Sequence, residues 1–119
     1  MKITDIGLVS LASHRLTHAS AAQAVISENI ANADTPGYQA KRAVSFQAFL
    51  ERAREAREST MTDVEIQPLA APWGEAMNGN NVSLEQEQLA SNSLKSDHAL
   101  ASRLFRKAHD MVALAASKP

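Results

Sequence analysis

Hydrophobic positions at both ends of the chain recur with alternating spacings of three and four residues, which is typical of helices that pack along a shared seam. Each end of the 119-residue chain therefore predicts one long helix, over residues 5–34 and 83–116. The N-terminal seam consists of Val9, Ala12, Leu16, Ala19, Gln23, Ile26, Ile30 and Ala33. The C-terminal seam consists of Ala90, Leu94, Asp97, Ala101, Leu104, Ala108, Met111 and Ala115, and Phe105 and Val112 widen it.

The segment between the two terminal helices has a weaker pattern. A short amphipathic helix is predicted over residues 46–58, because four apolar residues share one of its faces: Phe46, Phe49, Leu50 and Ala53. Residues 35–45 are predicted to form a turn region, and residues 59–82 an irregular or weakly β loop that contains prolines and glycines. The predicted fold class is thus mainly α, with the terminal helices paired as a coiled-coil-like hairpin in one domain over residues 1–119.

The stretch ADTPGYQ, after the N-terminal helix, is a concentrated stop and turn signal. Pro36 disfavours the α conformation at Thr35, so the helix is expected to end near Asp34. Pro36 and Gly37 suit the centre of a type II turn from Thr35 to Tyr38, with Gly37 at positive φ. Two interpretations remain open: the turn only ends the helix, or it also fixes the direction in which the following residues project.

The C-terminal helix has a clear start signal in the stretch GNNVSLEQE. Gly79, Asn80 and Asn81 interrupt the chain before it, and Ser83 with Gln86 fits a capping box. The helix is therefore predicted to begin at residue 83.

Composition adds limits on partners and on stability. The formal charge is −1, from 12 Lys and Arg against 13 Asp and Glu, so no overall positive field attracts nucleic acid. Alanine accounts for 22 residues and aromatic residues for only 4%, so burial of the core contributes little against chain entropy. The monomer is therefore expected to be marginally stable. We find neither a cleavable signal pattern nor an apolar run near the roughly 20 residues that span a bilayer.

The sequence offers little chemistry for an enzyme or a metal site. There is no cysteine, so a thiolate ligand and a cysteine nucleophile are excluded. His14 and His18 have a metal-compatible spacing but no evident third ligand, and a solvated or interface face is preferred for them. Glu85 and Glu87 lie in the first turn of a helix, where the helix dipole favours acidic groups. We therefore expect no catalytic residue, no cofactor, no metal and no small-molecule substrate.

The sequence NIANADTPGY at residues 29–38 resembles the signature of the bacterial flagellar rod and hook proteins, in which it closes the first terminal helix. The matching positions are Asn29, Ile30, Ala31, Asn32, Asp34, Thr35, Pro36, Gly37 and Tyr38. A second block is similar to the C-terminal block of the shortest, proximal rod members of that family. It comprises Gly79, Asn80, Asn81 and Val82, with Asn92 and Leu94 farther along the chain.

This resemblance implies a structural subunit of the proximal rod of the flagellar basal body, which assembles helically through its terminal helices and transmits torque as part of the drive shaft. The implied partners are other copies of itself, neighbouring rod proteins, the protein that joins the rod to the membrane ring, and the flagellar export apparatus. The implied location is the periplasmic rod, reached by type III export without a cleavable signal peptide. An alternative function is a cytoplasmic coiled-coil adaptor or an export-chaperone-like binding module.

Overall fold

The computed structural model describes residues 3–56 and 63–117, and it confirms the mainly α fold class. Two long helices, α1 and α3, pack against each other, and a short helix, α2, and a two-stranded sheet complete the fold. In chain order the elements are α1 Ile3–Ala31, β1 Lys41–Ala43, α2 Phe46–Glu55, β2 Ile66–Pro68 and α3 Leu84–Ala116.

The two long helices run antiparallel to each other. Residue numbers rise along α1 while the numbers of the contacted residues fall along α3. Three side-chain contacts show this order: Arg15 Nη2 to Asp97 Oδ2 at 3.1 Å, Gln23 Nε2 to Ser91 Oγ at 3.3 Å, and Asn29 Nδ2 to Glu87 Oε1 at 2.7 Å. The helices therefore form the hairpin-like pair that the two seams predict.

Small side chains make most of the contact between α1 and α3. Four seam alanines are fully buried, namely Ala12, Ala19, Ala101 and Ala108, together with Ile26. Half-buried positions are Val9, Leu16 and Leu94. The other large seam residues are exposed: Ile30 by 42%, Leu104 by 46% and Met111 by 52%. Because only two helices meet here, the buried row is narrow and the bulky residues at its flanks face outward.

The buried row is displaced by one residue from part of each predicted seam. On α1, Ala22 and Asn29 are buried, whereas their neighbours Gln23 and Ile30 are less so. On α3, the half-buried residues are Phe105 and Val112, and the exposed ones are Leu104 and Met111. Spacing alone does not identify the inward face here, because inward and outward faces of an alanine-rich helix differ little in hydrophobicity.

A second, smaller core lies between α2 and α1. Phe49 is 1% exposed and packs with Val44 and Val64. The imidazoles of His14 and His18, on α1, lie 5.8 and 5.9 Å from the Phe49 ring, measured between ring centroids. Both histidines are buried, so the solvated interpretation is wrong, and the face that they share is an interface within the chain.

Backbone carbonyls hold the two histidines in place. His14 Nδ1 donates to the Ser10 carbonyl oxygen at 2.7 Å, one turn earlier in α1. His18 Nε2 donates to the Val44 carbonyl oxygen at 2.6 Å. The second bond links α1 to the chain just before α2, so His18 fixes how α2 docks.

The helix ends differ slightly from the predicted bounds. Helix α1 ends at Ala31, three residues before Asp34, and a turn follows. Helix α2 ends at Glu55, and the rest of its predicted range, residues 57–58, lies outside the described residues. Ser83 caps α3 as predicted, because its side chain accepts the Gln86 amide hydrogen at 3.2 Å. The Gln86 side chain donates instead to the Ala71 carbonyl oxygen at 3.1 Å, so only half of the capping box forms.

The region predicted as a weakly β loop contains a short strand. Strands β1 and β2 pair antiparallel, with Arg42 opposite Gln67. The ladder continues at both ends, since the Val44 amide donates to the Glu65 carbonyl and the Leu69 amide donates to the Ala40 carbonyl, each at 2.9 Å. This pairing holds the segment after α1 close to the chain that leads into α3.

Candidate assembly site

The two sequence blocks that carry the family resemblance meet in the structure. The first block ends α1 and forms the following turn, and the second block leads into α3. Their backbones are joined directly, because the Gly37 amide donates to the Asn78 carbonyl at 2.9 Å and the Asn81 amide donates to the Tyr38 carbonyl at 3.3 Å. We call this region the asparagine junction, formed by residues 29–42 and 78–87.

Asn29 is the central residue of the junction. It lies in the last turn of α1 and has no exposed surface. Its Nδ2 donates to the Lys41 carbonyl at 2.8 Å and to Glu87 Oε1 at 2.7 Å. Its Oδ1 accepts from the Tyr38 hydroxyl at 3.0 Å and from the Lys41 amide at 3.1 Å. An asparagine amide has two donor hydrogens and two acceptor lone pairs, so Asn29 uses its full capacity and ties α1, the turn, β1 and α3 together.

Glu87 is a buried acid opposite Asn29. Its side chain is 1% exposed, and Arg42 Nη1 lies 2.9 Å from Oε1 and 2.6 Å from Oε2. The contact with Oε1 is an aligned hydrogen bond, whereas Oε2 has no aligned donor among the described residues. Arg42 therefore compensates the charge of a carboxylate that would otherwise be costly to bury.

Sequence reasoning missed the role of Glu87. Its assignment to the helix dipole alone is wrong, because the side chain is buried and bonded to Asn29 and Arg42. A usable signal was present: Glu87, Leu94, Ala101 and Ala108 are spaced by seven residues, so Glu87 continues the inward row of α3. Glu85, by contrast, is exposed and accepts a hydrogen bond from Ser83 Oγ at 3.2 Å.

The predicted type II turn is present at residues 35–38. The Tyr38 amide donates to the Thr35 carbonyl at 3.2 Å, and Gly37 has a φ of 75°. The residues of the turn up to Gly37 are exposed, whereas Tyr38 is half-buried. The turn thus directs the Tyr38 side chain back toward Asn29, while its own tip faces outward.

Tyr38 is a hydrogen-bond donor in this site. A phenol is protonated at neutral pH at its usual pKa of about 10, and its hydroxyl donates to Asn29. Burial, and then the nearby negative charge of Glu28, raise the pKa of the Tyr38 phenol further. The Lys41 ammonium lies 5.9 Å from the centre of the Tyr38 ring, and it pairs with Glu28 Oε1 at 3.3 Å on the surface.

Two buried asparagines of the second block form hydrogen bonds to the turn and to the residues on either side of it. Asn80 Nδ2 donates to the carbonyls of Asn32 and Thr35, both at 2.8 Å, and so ties the second block to the chain just after α1. Asn81 Oδ1 accepts the Ala40 amide hydrogen at 2.6 Å, and Asn81 Nδ2 donates to Gln39 Oε1 at 2.9 Å. Both blocks are therefore needed for a complete set of hydrogen bonds.

Two glycines of the junction have positive φ, a backbone conformation that disfavours any other residue. Gly79 has a φ of 84°, and a Cβ at this position would lie 3.4 Å from the Gly37 Cα atom. A Cβ at Gly37 would meet no atom within 4 Å, so that glycine is required for its φ and not for space.

The other residues of the two blocks are less central. Asn32 Nδ2 donates to the Glu28 carbonyl at 2.8 Å, and Asn32 Oδ1 accepts from the Thr35 hydroxyl at 3.1 Å, so Asn32 caps its own helix. Asn92 is exposed and accepts from Gln88 Nε2 at 3.2 Å. The remaining positions are exposed at Ile30, Ala31, Asp34, Thr35 and Pro36, and half-buried at Val82 and Leu94.

The described residues contain no cluster of three or more His, Cys, Asp or Glu side chains that could hold a metal ion. Within the same residues, no helix combines the length and the apolar character that crossing a membrane requires. The hydrogen bonds of the junction join α1 to the chain that leads into α3, and the turn at residues 35–37 is exposed.

Comparisons with known proteins agree on one family. Residues 11–39 match the family model described as flagella basal body rod protein. The flagellar basal body rod protein FlgB of Agrobacterium fabrum is 31% identical over 90% of this chain and 90% of its own length. The FlgB proteins of Bacillus subtilis and Escherichia coli are each 35% identical, over 74% and 66% of this chain and 78% and 72% of their own lengths.

Proposed function

Since this chain belongs to the FlgB family of flagellar basal body rod proteins, we propose that it forms the proximal part of the rod by assembling helically through the outer faces of its terminal helices. In this role the subunit transmits torque as part of the drive shaft. Its role is structural and not enzymatic, in keeping with the names of its relatives.

One observation carries the proposal: the long helices leave large apolar side chains uncovered. A stable monomer seldom exposes so many along one pair of helices, and such surfaces mark sites of protein contact. The uncovered residues on α1 are Leu8, Leu11 and Ile30, and those on α3 are Leu84, Leu89, Leu100, Leu104, Met111 and Leu114. Neighbouring subunits are the natural cover for these rows, because an open helical array surrounds each subunit with others.

The shape of the subunit supports the same role. Its principal extents are 68 × 27 × 17 Å, and its radius of gyration is 17.7 Å. A compact domain of this length has a radius of gyration of about 13.5 Å. An elongated subunit with long outward faces is suited to side-by-side and end-to-end packing in a tube.

The proposed partners follow from a rod position. They are other copies of this chain, the neighbouring rod proteins, and the protein that joins the rod to the membrane ring. The flagellar export apparatus is a further, transient partner, because a periplasmic rod subunit made in the cytoplasm must be exported. Marginal stability of the monomer favours passage through a narrow export channel.

Isolation of basal bodies tests the proposal. In a flagellated cell that carries this chain as its sole copy, we expect the chain to copurify with hook–basal bodies, and we expect its deletion to leave cells without rods. Secretion of the chain should stop when the export apparatus is disabled. Normal basal bodies in the deletion strain, with the wild-type chain found only in the cytoplasm, would refute a rod function and favour the adaptor alternative.

Replacing Gly37 with Val is expected to damage rod formation more than replacing Lys41 with Ala. The φ of 75° at Gly37 is unfavourable for a side chain by about 1–2 kcal/mol, and a β-branched residue is worse. Lys41 contributes to the junction through its backbone, and its exposed ion pair with Glu28 is worth little. Swimming and rod yield measure the difference. Equal rod yields in the two variants would show that the turn does not control assembly.

A further inference from the structure

An apolar groove lies between α1 and α3, on the side where α2 begins. It is lined by Leu8 and Leu11 from α1, Leu100 and Leu104 from α3, and Phe46 from α2, and we call it the leucine groove. The four leucines are exposed by 39%, 42%, 56% and 46%. The groove has a volume of about 200 Å³. An apolar cavity of about 150 Å³ already accepts a benzene ring, so the groove can accept an aromatic side chain.

The only tryptophan of the chain, Trp73, lies in the loop before α3. Its side chain is 61% exposed, and Met77, farther along the same loop, is fully exposed. The loop is nonetheless held at both sides of Trp73. Gln86 Nε2 donates to the Ala71 carbonyl at 3.1 Å, and the Ala76 amide donates to the Asn80 carbonyl at 2.7 Å. An uncovered aromatic ring on an anchored loop is the usual form of a contact residue.

The charges beside the groove and beside the tryptophan are opposite. Arg103 and Lys107 follow Leu100 and Leu104 by three residues each, so they share that side of α3. Both are exposed, and neither forms an ion pair among the described residues. Glu75 follows Trp73 by two residues and is equally exposed and unpaired within the described part of the chain. The groove itself is lined by an ion pair, Arg15 with Asp97 at 3.1 Å, which adds no net charge. The two basic side chains thus flank the groove without lining it, and the acid lies beside the tryptophan.

Trp73 lies outside the leucine groove of its own chain. Its side chain is 61% exposed and does not line the groove. The loop is held at Gln86, and Leu100 lies about 21 Å farther along α3 at 1.5 Å per residue. Only Pro72 lies between Ala71 and Trp73, so the anchored backbone stays near the start of α3. The ring and the groove are thus both open to a second copy.

We infer that the Trp73 loop of one copy inserts into the leucine groove of the next copy, with Glu75 beside Arg103 and Lys107. This inference rests on the proposed rod function and names one contact of the helical assembly. The contact is heterologous, because the two surfaces belong to different parts of the chain. When a heterologous contact does not close into a ring, it repeats from copy to copy and generates a helical array. It also covers two of the apolar surfaces that the monomer leaves open.

Cysteine cross-linking in assembled basal bodies tests the contact. The chain has no native cysteine, so introduced thiols pair without background. Gly74→Cys places a thiol next to Trp73, where a Cβ meets no atom within 4 Å, and Arg103→Cys places one beside the groove. The double variant is expected to give a ladder of disulfide-linked copies on oxidation. Each single variant should give none, and coexpression of the two single variants should give dimers only.

Substitution of Trp73 provides a second readout that does not depend on thiols. Trp73→Ala is expected to reduce incorporation into basal bodies at least about tenfold, because buried aromatic anchors dominate such contacts. Trp73→Phe should keep most of the incorporation, since it keeps an aromatic ring. The exposed position of Trp73 makes a folding defect an inadequate explanation, and equal circular dichroism of the purified variants checks this.

The possible outcomes separate the inference from the proposed function. Full incorporation of Trp73→Ala, with no cross-linked copies of the double variant, would overturn the inference and leave the rod function intact. A cross-link from Gly74→Cys or Arg103→Cys to a different rod protein would also overturn it, because the occupant would not be a second copy. Absence of the wild-type chain from basal bodies would remove the rod function and the inference with it.

Discussion

Replacing Asn29 with Leu is expected to lower the free energy of unfolding by about 3–5 kcal/mol. The variant loses all four hydrogen bonds of the Asn29 side chain. It also removes the partner of the Lys41 amide and one of the two partners of the Glu87 carboxylate, which is buried. Leucine is close in size, so loss of polar pairing and not loss of volume causes the effect.

Urea unfolding followed by circular dichroism measures the change. Because the wild-type monomer is expected to be marginal, both proteins are best compared in an osmolyte that favours the folded state. Asn32→Ala is a control from the same block, since among the described residues the Asn32 side chain bonds only to Glu28 and Thr35, and the substitution leaves its backbone carbonyl in place for Asn80. We expect the Asn32→Ala substitution to lower the free energy of unfolding by less than about 1 kcal/mol. Equal losses from the two variants would show that Asn29 is not the centre of the junction.

Replacing Arg42 with Met is expected to cost about 2–3 kcal/mol of unfolding free energy. Glu87 has 1% side-chain exposure, and the substitution leaves its charge without a compensating cation. Arg42 itself is partly exposed, so the cost falls below that of a fully buried pair. Unfolding of Arg42→Met under the same conditions measures this loss.

Adding Glu87→Gln to Arg42→Met should restore at least about 1 kcal/mol. The glutamine carries no charge and still presents an oxygen that can accept from Asn29 Nδ2. A double-mutant cycle over the four proteins gives the coupling energy between the two residues. Additive losses would contradict the buried ion pair, because removal of both charges would then bring no relief.

The long helices and the turn could be predicted from the sequence because local rules decide them. Pro36 and Gly37 determine the turn through backbone geometry alone, and the observed φ of Gly37 agrees. The serine cap of α3 is likewise a local feature, and Ser83 occupies it. Such features do not depend on what lies across the fold.

The inward face of each helix was harder to predict. A helix that buries Ala12, Ala19 and Ala22 has little contrast between faces, so the spacing of three and four residues placed Ile30 in the seam, whereas Asn29 is the buried residue. Asn29 and Glu87 are polar and buried because each satisfies the other across the hairpin. Single-residue patterns cannot show such a pairing, since each residue alone is typical of an exposed position.

The loop before α3 was predicted only in outline. It was predicted as an irregular or weakly β loop, but the pairing of β2 with β1 depends on the position of residues 41–43 after the turn. The bond from His18 to the Val44 carbonyl is also a long-range feature. These contacts follow from the closed hairpin and not from local propensity.

Amide hydrogen exchange of the isolated chain and of the same chain in purified rods tests most directly whether neighbours complete the order of the long helices. We expect the isolated chain to be protected mainly around the asparagine junction and the Phe49 core, with little protection in the part of α3 after Ala101. In rods this part should be strongly protected. Strong and uniform protection along both helices of the isolated chain, with all of it lost in one cooperative unfolding step, would contradict the claim that neighbouring subunits complete the order of the helices.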